Sequence, residues 1–65
     1  MEYEIQWQYN PEWREVQVLT VSTKEGIIKY RQPFRPQDIE IAGGREAVEN
    51  NAVNLVKERY RRIHG

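Results

Sequence analysis

The residues that could support covalent chemistry are few and badly placed for it. The chain has one serine (Ser22), one histidine (His64), one aspartate (Asp38) and no cysteine. A nucleophile needs a base within hydrogen-bond reach, and that base needs an orienting group. Ser22 falls near a hairpin end and His64 beside the C-terminal residue, so the pattern does not bring them together. Two carboxylate pairs exist, Glu2 with Glu4 on one strand face and Glu46 with Glu49 on one helix. Both read as solvated charge rather than as an acid and base flanking a substrate. Without cysteine there is no disulfide and no thiolate metal ligand. No His spacing or Asp-rich loop suits zinc or calcium. The expectation is a non-enzymatic chain with no cofactor, no metal and no small-molecule substrate.

Gly43-Gly44-Arg45 opens a helix, and helix N-termini attract anions. Phosphate-binding motifs need further glycines at fixed spacing between a strand and a helix. The glycine pair therefore reads as a flexible entry that lets the helix fold back.

Binding chemistry is better represented. Lys57, Arg59, Arg61 and Arg62 gather near the end of the final helix. They complement the helix dipole, and the Arg59 stem is expected to lie over the sheet edge. The same cations also suit an anionic partner. A second set comes from the strands. Gln6, Gln8, Gln17, Lys29 and Arg31 are expected on the outer sheet face around Leu19, Val21 and Ile27. Aliphatic residues on a solvated face mark either a contact surface or local cross-strand packing. Trp13, at a turn tip, serves as a partner anchor or folds over Tyr9. The partner-binding candidates are thus Trp13, Leu19, Val21 and Ile27. The nucleic-acid candidates are Gln17, Lys29, Arg31, Lys57, Arg61 and Arg62, since Gln reads adenine and Arg reads guanine.

These residues must be positioned by regular elements. Glu2 to Tyr9 alternates without a fault, with Tyr3, Ile5, Trp7 and Tyr9 on one face. Strict alternation of β-prone aromatics predicts a half-buried strand. Asn10-Pro11-Glu12-Trp13 fits a type I turn. A second strand is expected over Arg14 to Ser22. With Asn10 opposite Trp13, Trp7 faces Val16, Ile5 faces Val18 and Tyr3 faces Thr20, and Leu19 and Val21 point outward. Lys24-Glu25-Gly26 suits a three-residue hairpin with Gly26 in the left-handed region. It sets Ser22 against Ile28 and Thr20 against Tyr30. Pro33 and Pro36 end the third strand. Asp38 to Ile41 reads as a short fourth strand at an edge or as a docked loop.

Arg45 to Ile63 carries a helical stripe of Val48, Ala52, Leu55, Val56, Tyr60 and Ile63. Glu58 and Arg62 stand one turn apart and can pair. The expected fold is α+β. One domain spanning residues 1–65 has an antiparallel meander of three strands, or four if Asp38–Ile41 pairs, with one C-terminal helix on one face.

Ten basic and ten acidic residues balance to zero, which argues against a general nucleic-acid coat or a polybasic membrane anchor. No apolar run approaches the ~18 residues of a membrane span. The acidic, alternating N-terminus is unlike a signal peptide, so the expected location is the cytoplasm. The leading expectation is a small protein-binding module (adaptor, inhibitor or regulator), homodimeric through its open sheet face or an edge. The alternative is a nucleic-acid-binding domain using the outer sheet face and the basic helix end. In element order alone the chain resembles the arm-binding domains of some recombinases. A third reading is a designed chain without evolved function, to which balanced charge and dipole-matched helix ends belong. Asn50, Asn51 and Asn54 in the helix speak against that reading.

Overall fold

A computed structural model of the chain describes residues 2–9, 12 and 15–64, with His64 described by its backbone only. Strands β1 (Tyr3–Tyr9), β2 (Gln17–Thr23) and β3 (Lys29–Phe34) precede helices α1 (Pro36–Ile41) and α2 (Arg45–His64). The strands form an antiparallel sheet in the order β1-β2-β3, with β2 at the centre. The α2 helix packs on one face, which makes the expected α+β arrangement. The core is Leu19, Val21 and Ile28 from the strand side and Val48, Ala52, Val53 and Val56 from α2. Trp7, Tyr30, Phe34, Ile39 and Tyr60 pack around it.

The β1–β2 register differs from the expected one. Tyr3 pairs with Thr23, Ile5 with Val21, Trp7 with Leu19 and Tyr9 with Gln17. This is a slip of three residues along β2. An odd slip turns every side chain of a strand to the opposite face. Leu19 and Val21, expected outside, are fully buried beneath α2. The reason lies in β2 itself. Val16 and Val18 are apolar at one parity and Leu19 and Val21 at the other, so alternation does not select a face. The helix takes Leu19 and Val21, which sit at the middle of the central strand between Trp7 and Ile5 on one side and Gln32 and Tyr30 on the other. Asn10, Pro11 and Trp13 of the expected tight turn lie outside the described residues. Val18 remains nearly covered on the open face, where Gln8 and Pro33 flank it.

The β2–β3 connection is one residue longer than expected. Thr23 pairs with Ile28 through its backbone N–H, which donates to the Ile28 carbonyl at 3.0 Å, and residues 24–27 form the loop. The Thr23 side chain is buried, and its Oγ1 accepts from the Ile28 N–H at 3.2 Å. A hydroxyl here satisfies a backbone donor that the core would otherwise strand. Gly26 has φ 72, the left-handed conformation expected of it, and its N–H closes the turn on the Thr23 carbonyl at 2.9 Å.

Asp38–Ile41 is neither a fourth strand nor an extended loop, but the body of α1. Pro36 opens that helix, where its fixed φ suits the first turn. The Asp38 carboxylate accepts the Arg35 N–H at 3.2 Å. The alternation of Ile39 and Ile41 then sends one side chain to the core and leaves the other exposed. Gly43 and Gly44 reverse the chain into α2 at φ 103 and 106. Side chains rarely adopt this region, and a Cβ on Gly43 would also sit 3.4 Å from the Ala47 Cβ. Gly43→Ala is expected to cost about 1–3 kcal/mol, read as a lowered thermal midpoint.

The α2 stripe is rotated slightly from the expected one. Val53 is buried, whereas Leu55 and Ile63 are largely exposed. The helix lies over β2 and β3 more than over β1, and Val53 stands one turn from both Glu49 and Lys57, which meet Trp7 and Tyr3 of β1. Glu58 and Arg62 pair at 3.0 Å, as their spacing predicts.

Candidate functional site

The face of the sheet away from α2 presents Glu4, Gln6 and Gln8 from β1, Val18, Thr20 and Ser22 from β2, and Lys29, Arg31 and Pro33 from β3. Glu4, Gln6, Thr20 and Ser22 line a shallow concavity of about 480 Å³ here. Lys29 and Arg31 keep the outward placement expected of them. Gln17 does not: the β2 slip moves it to the helix side, where its side-chain oxygen accepts a hydrogen bond from Arg45. The expected aliphatic strip is therefore absent. Of its members only Ile27 is exposed, at 55%, and it belongs to the hairpin tip. Trp13 lies outside the described residues.

The cations of α2 divide between two sides. Lys57 stands over the Tyr3 ring, 6.0 Å from its centroid, on the β1 side. Arg59 and Arg62 meet Lys29 beside Ile27, Ile28 and Ile63 in an open groove of about 390 Å³ at the hairpin end. Arg61 is exposed on α2. The two halves of the expected nucleic-acid surface thus approach each other only at that groove. Among the described residues no group of His, Asp or Glu side chains is arranged to hold a metal ion. Asp38 is used in capping α1.

The sheet edges form the third surface, and they are chemically unequal. Backbone bonds in an antiparallel ladder alternate, so a residue that turns its N–H and C=O away from one neighbour turns both toward the other side. The Lys24 N–H donates to the Glu2 carbonyl at 3.1 Å, and the Thr23 N–H donates to Ile28. Even-numbered residues of β1 therefore bond β2, and Tyr3, Ile5 and Trp7 direct their backbone groups outward. On β3 the outward positions are Lys29, Arg31 and Pro33. Two cations and a residue without an N–H guard that edge against further strands. The β1 edge has neither proline nor lysine across its seven residues, and of these Trp7 is half-buried and the others are exposed.

Among the described residues no strand pairs with the outer side of β1, and the helix-side side chains along it are aromatic or aliphatic. Tyr3 and Ile5 point to the helix side yet remain 39% and 40% exposed, because α2 packs mainly over β2 and β3 and meets β1 only through long side chains. Trp7 is tied down. Its indole N–H donates to the Glu49 carboxylate at 3.0 Å, the Arg45 guanidinium sits 4.9 Å over its ring, and Phe34 packs at a centroid distance of 6.1 Å. The signal that distinguishes β1 from β3 is the outward parity of Pro33, and it becomes readable only once the register is known.

No family model, curated protein or solved structure matches the chain.

Proposed function

We propose that this chain is a small, non-catalytic protein-binding module that takes its partner as an added strand on β1. The observation that carries the reading is the inequality of the two edges. Strand addition needs a regular row of open N–H and C=O groups, with side chains alongside to give specificity. Strand β1 offers both, in Tyr3, Ile5 and Trp7, while β3 turns Lys29, Arg31 and Pro33 outward. Proteins ordinarily blunt such an edge with charge, proline or a bulge. Leu19 and Val21 belong to the core and are closed to a partner, which leaves the margin of the sheet as the contact surface.

Hydrogen exchange of individual amides in dilute solution tests the reading. The Gln6 and Gln8 amides, bonded to β2, are expected to be protected, and the Ile5 and Trp7 amides to exchange far faster. Equal protection of Ile5 and Gln6 in the monomer would mean that the edge is covered within the chain, and strand addition would be dropped.

Nucleic-acid binding is the second reading, and one observation favours it. The β2 slip replaces Leu19 and Val21 on the open face by Thr20 and Ser22, beside Gln6, Gln8, Lys29 and Arg31. Such a face has the hydrogen-bonding groups of a β-sheet reader. Against it stand Glu4 on the same face and the zero net charge. A duplex DNA titration at two salt concentrations decides. Absence of binding at the lower salt removes this reading, because phosphate contacts are strongest there.

A further inference from the structure

Resting on the reading of β1 as a strand acceptor, we infer that the strand it accepts is β1 of a second copy, antiparallel, about a two-fold axis at Ile5. In this register Ile5 meets the partner's Ile5, and Tyr3 meets the partner's Trp7. The outward backbone groups of these residues then bond one another, because all three turn N–H and C=O to the same open side. A two-fold contact must be self-complementary, each patch meeting its own copy. Three features of β1 meet that demand.

The first is the outer face. Glu4 falls opposite the partner's Gln6, and Glu2 opposite the partner's Gln8. No like charges stand opposite, and each carboxylate meets an amide that can donate to it. The second is the helix side. Side-by-side antiparallel pairing puts the axis perpendicular to the sheet, so both α2 helices lie on one face. Lys57 stands over Tyr3, and Glu49 accepts from Trp7. Bringing Tyr3 against the partner's Trp7 therefore brings Lys57 toward the partner's Glu49, and symmetry repeats this pairing of opposite charges. Arg45, the other charge on Trp7, is bonded to Gln17 and so lies beyond Trp7 from the axis. The third is coverage. Tyr3 and Ile5 are the half-exposed apolar residues of the helix-side face of β1 nearest the axis. Aromatic and branched side chains directly opposite one another stabilise a strand pair. The result is a continuous six-stranded antiparallel sheet, built from the three strands of each copy, whose remaining outer edges are the guarded β3 strands.

Gln6 provides a directional test, since its side chain lies on the open face, away from the core. Gln6→Lys faces the partner's Glu4 with an opposite charge, twice by symmetry. Gln6→Glu faces it with a like charge, also twice. Analytical ultracentrifugation of the full chain across a concentration series should show a monomer–dimer equilibrium. Its dissociation constant should fall roughly 2- to 30-fold in Gln6→Lys and rise by a similar factor in Gln6→Glu. Raised salt should shrink both changes. Circular dichroism checks that each variant is folded. Weakening by both substitutions would place Gln6 against itself and overturn the Ile5 axis. A wild-type chain that stays monomeric at millimolar concentration would overturn self-pairing altogether. If in that monomer the Ile5 and Trp7 amides exchange freely, the strand-acceptor reading survives with a different partner. If they are protected, both readings fall together.

Discussion

Leu19→Ala is expected to lower the unfolding free energy by about 2–5 kcal/mol, enough to unfold a substantial part of the population. A chain of this length has a total stability of roughly 3–10 kcal/mol. Leu19 is fully buried at the centre of β2, between Trp7 of β1 and Gln32 of β3 and beneath α2. Truncation leaves a cavity that a sheet held on both sides cannot close. Urea unfolding followed by far-UV circular dichroism gives the value. Ile27→Ala is the comparison, since Ile27 is 55% exposed at the hairpin tip and should change stability by no more than about 0.5 kcal/mol. Equal, mild effects at the two positions would mean that Leu19 faces outward and that the β1–β2 register is wrong.

Trp7→Ala is the second large effect, with an expected cost of about 3 kcal/mol. The lower end of the range for large aromatic truncations applies because Trp7 is only half-buried. Its ring is the main link between the edge strand and the helix. It packs on Phe34, carries the Arg45 guanidinium and donates to Glu49. Without it β1 keeps its ladder to β2 but loses its strongest hold on α2. Trp7→Phe separates packing from polarity. It keeps a ring against Phe34 and loses the bond to Glu49, for about 1 kcal/mol or less, because that bond is partly solvated. Chemical denaturation of the two variants side by side checks the order. A phenylalanine as damaging as alanine would show that the indole N–H, rather than the ring, holds the edge strand.

The two substitutions address the same question from opposite sides, namely which surface of the sheet is inside. Leu19 and Val21 in the core make the open face polar. Within the helix-side face of the sheet, Tyr3 and Ile5 on the margin of β1 stay accessible.

The sequence by itself determined the α+β class, the parity of β1 and β3, the left-handed Gly26 and the extent of α2. Each has a one-sided physical cause. Along β1 and in Lys29–Arg31 one parity is polar, so only one face can be buried. Gly26 alone in its loop tolerates a positive φ. Arg45–His64 holds a helical period long enough to outweigh its three asparagines. The tertiary structure decided the rest, where local signals were balanced. Both parities of β2 are apolar, so its face was settled by which pair of residues lay under α2. Ile39 and Ile41 suit a strand by alternation, yet Pro36, the Asp38 cap and the Gly43-Gly44 reversal turn them into α1. Val53 and Leu55 are both aliphatic, and the face that α2 turns to the sheet buries one and exposes the other. Strand order makes β1 an edge, and the β2–β3 register turns Lys29, Arg31 and Pro33 outward on the other edge, because which backbone groups face out depends on pairing and not on side-chain type.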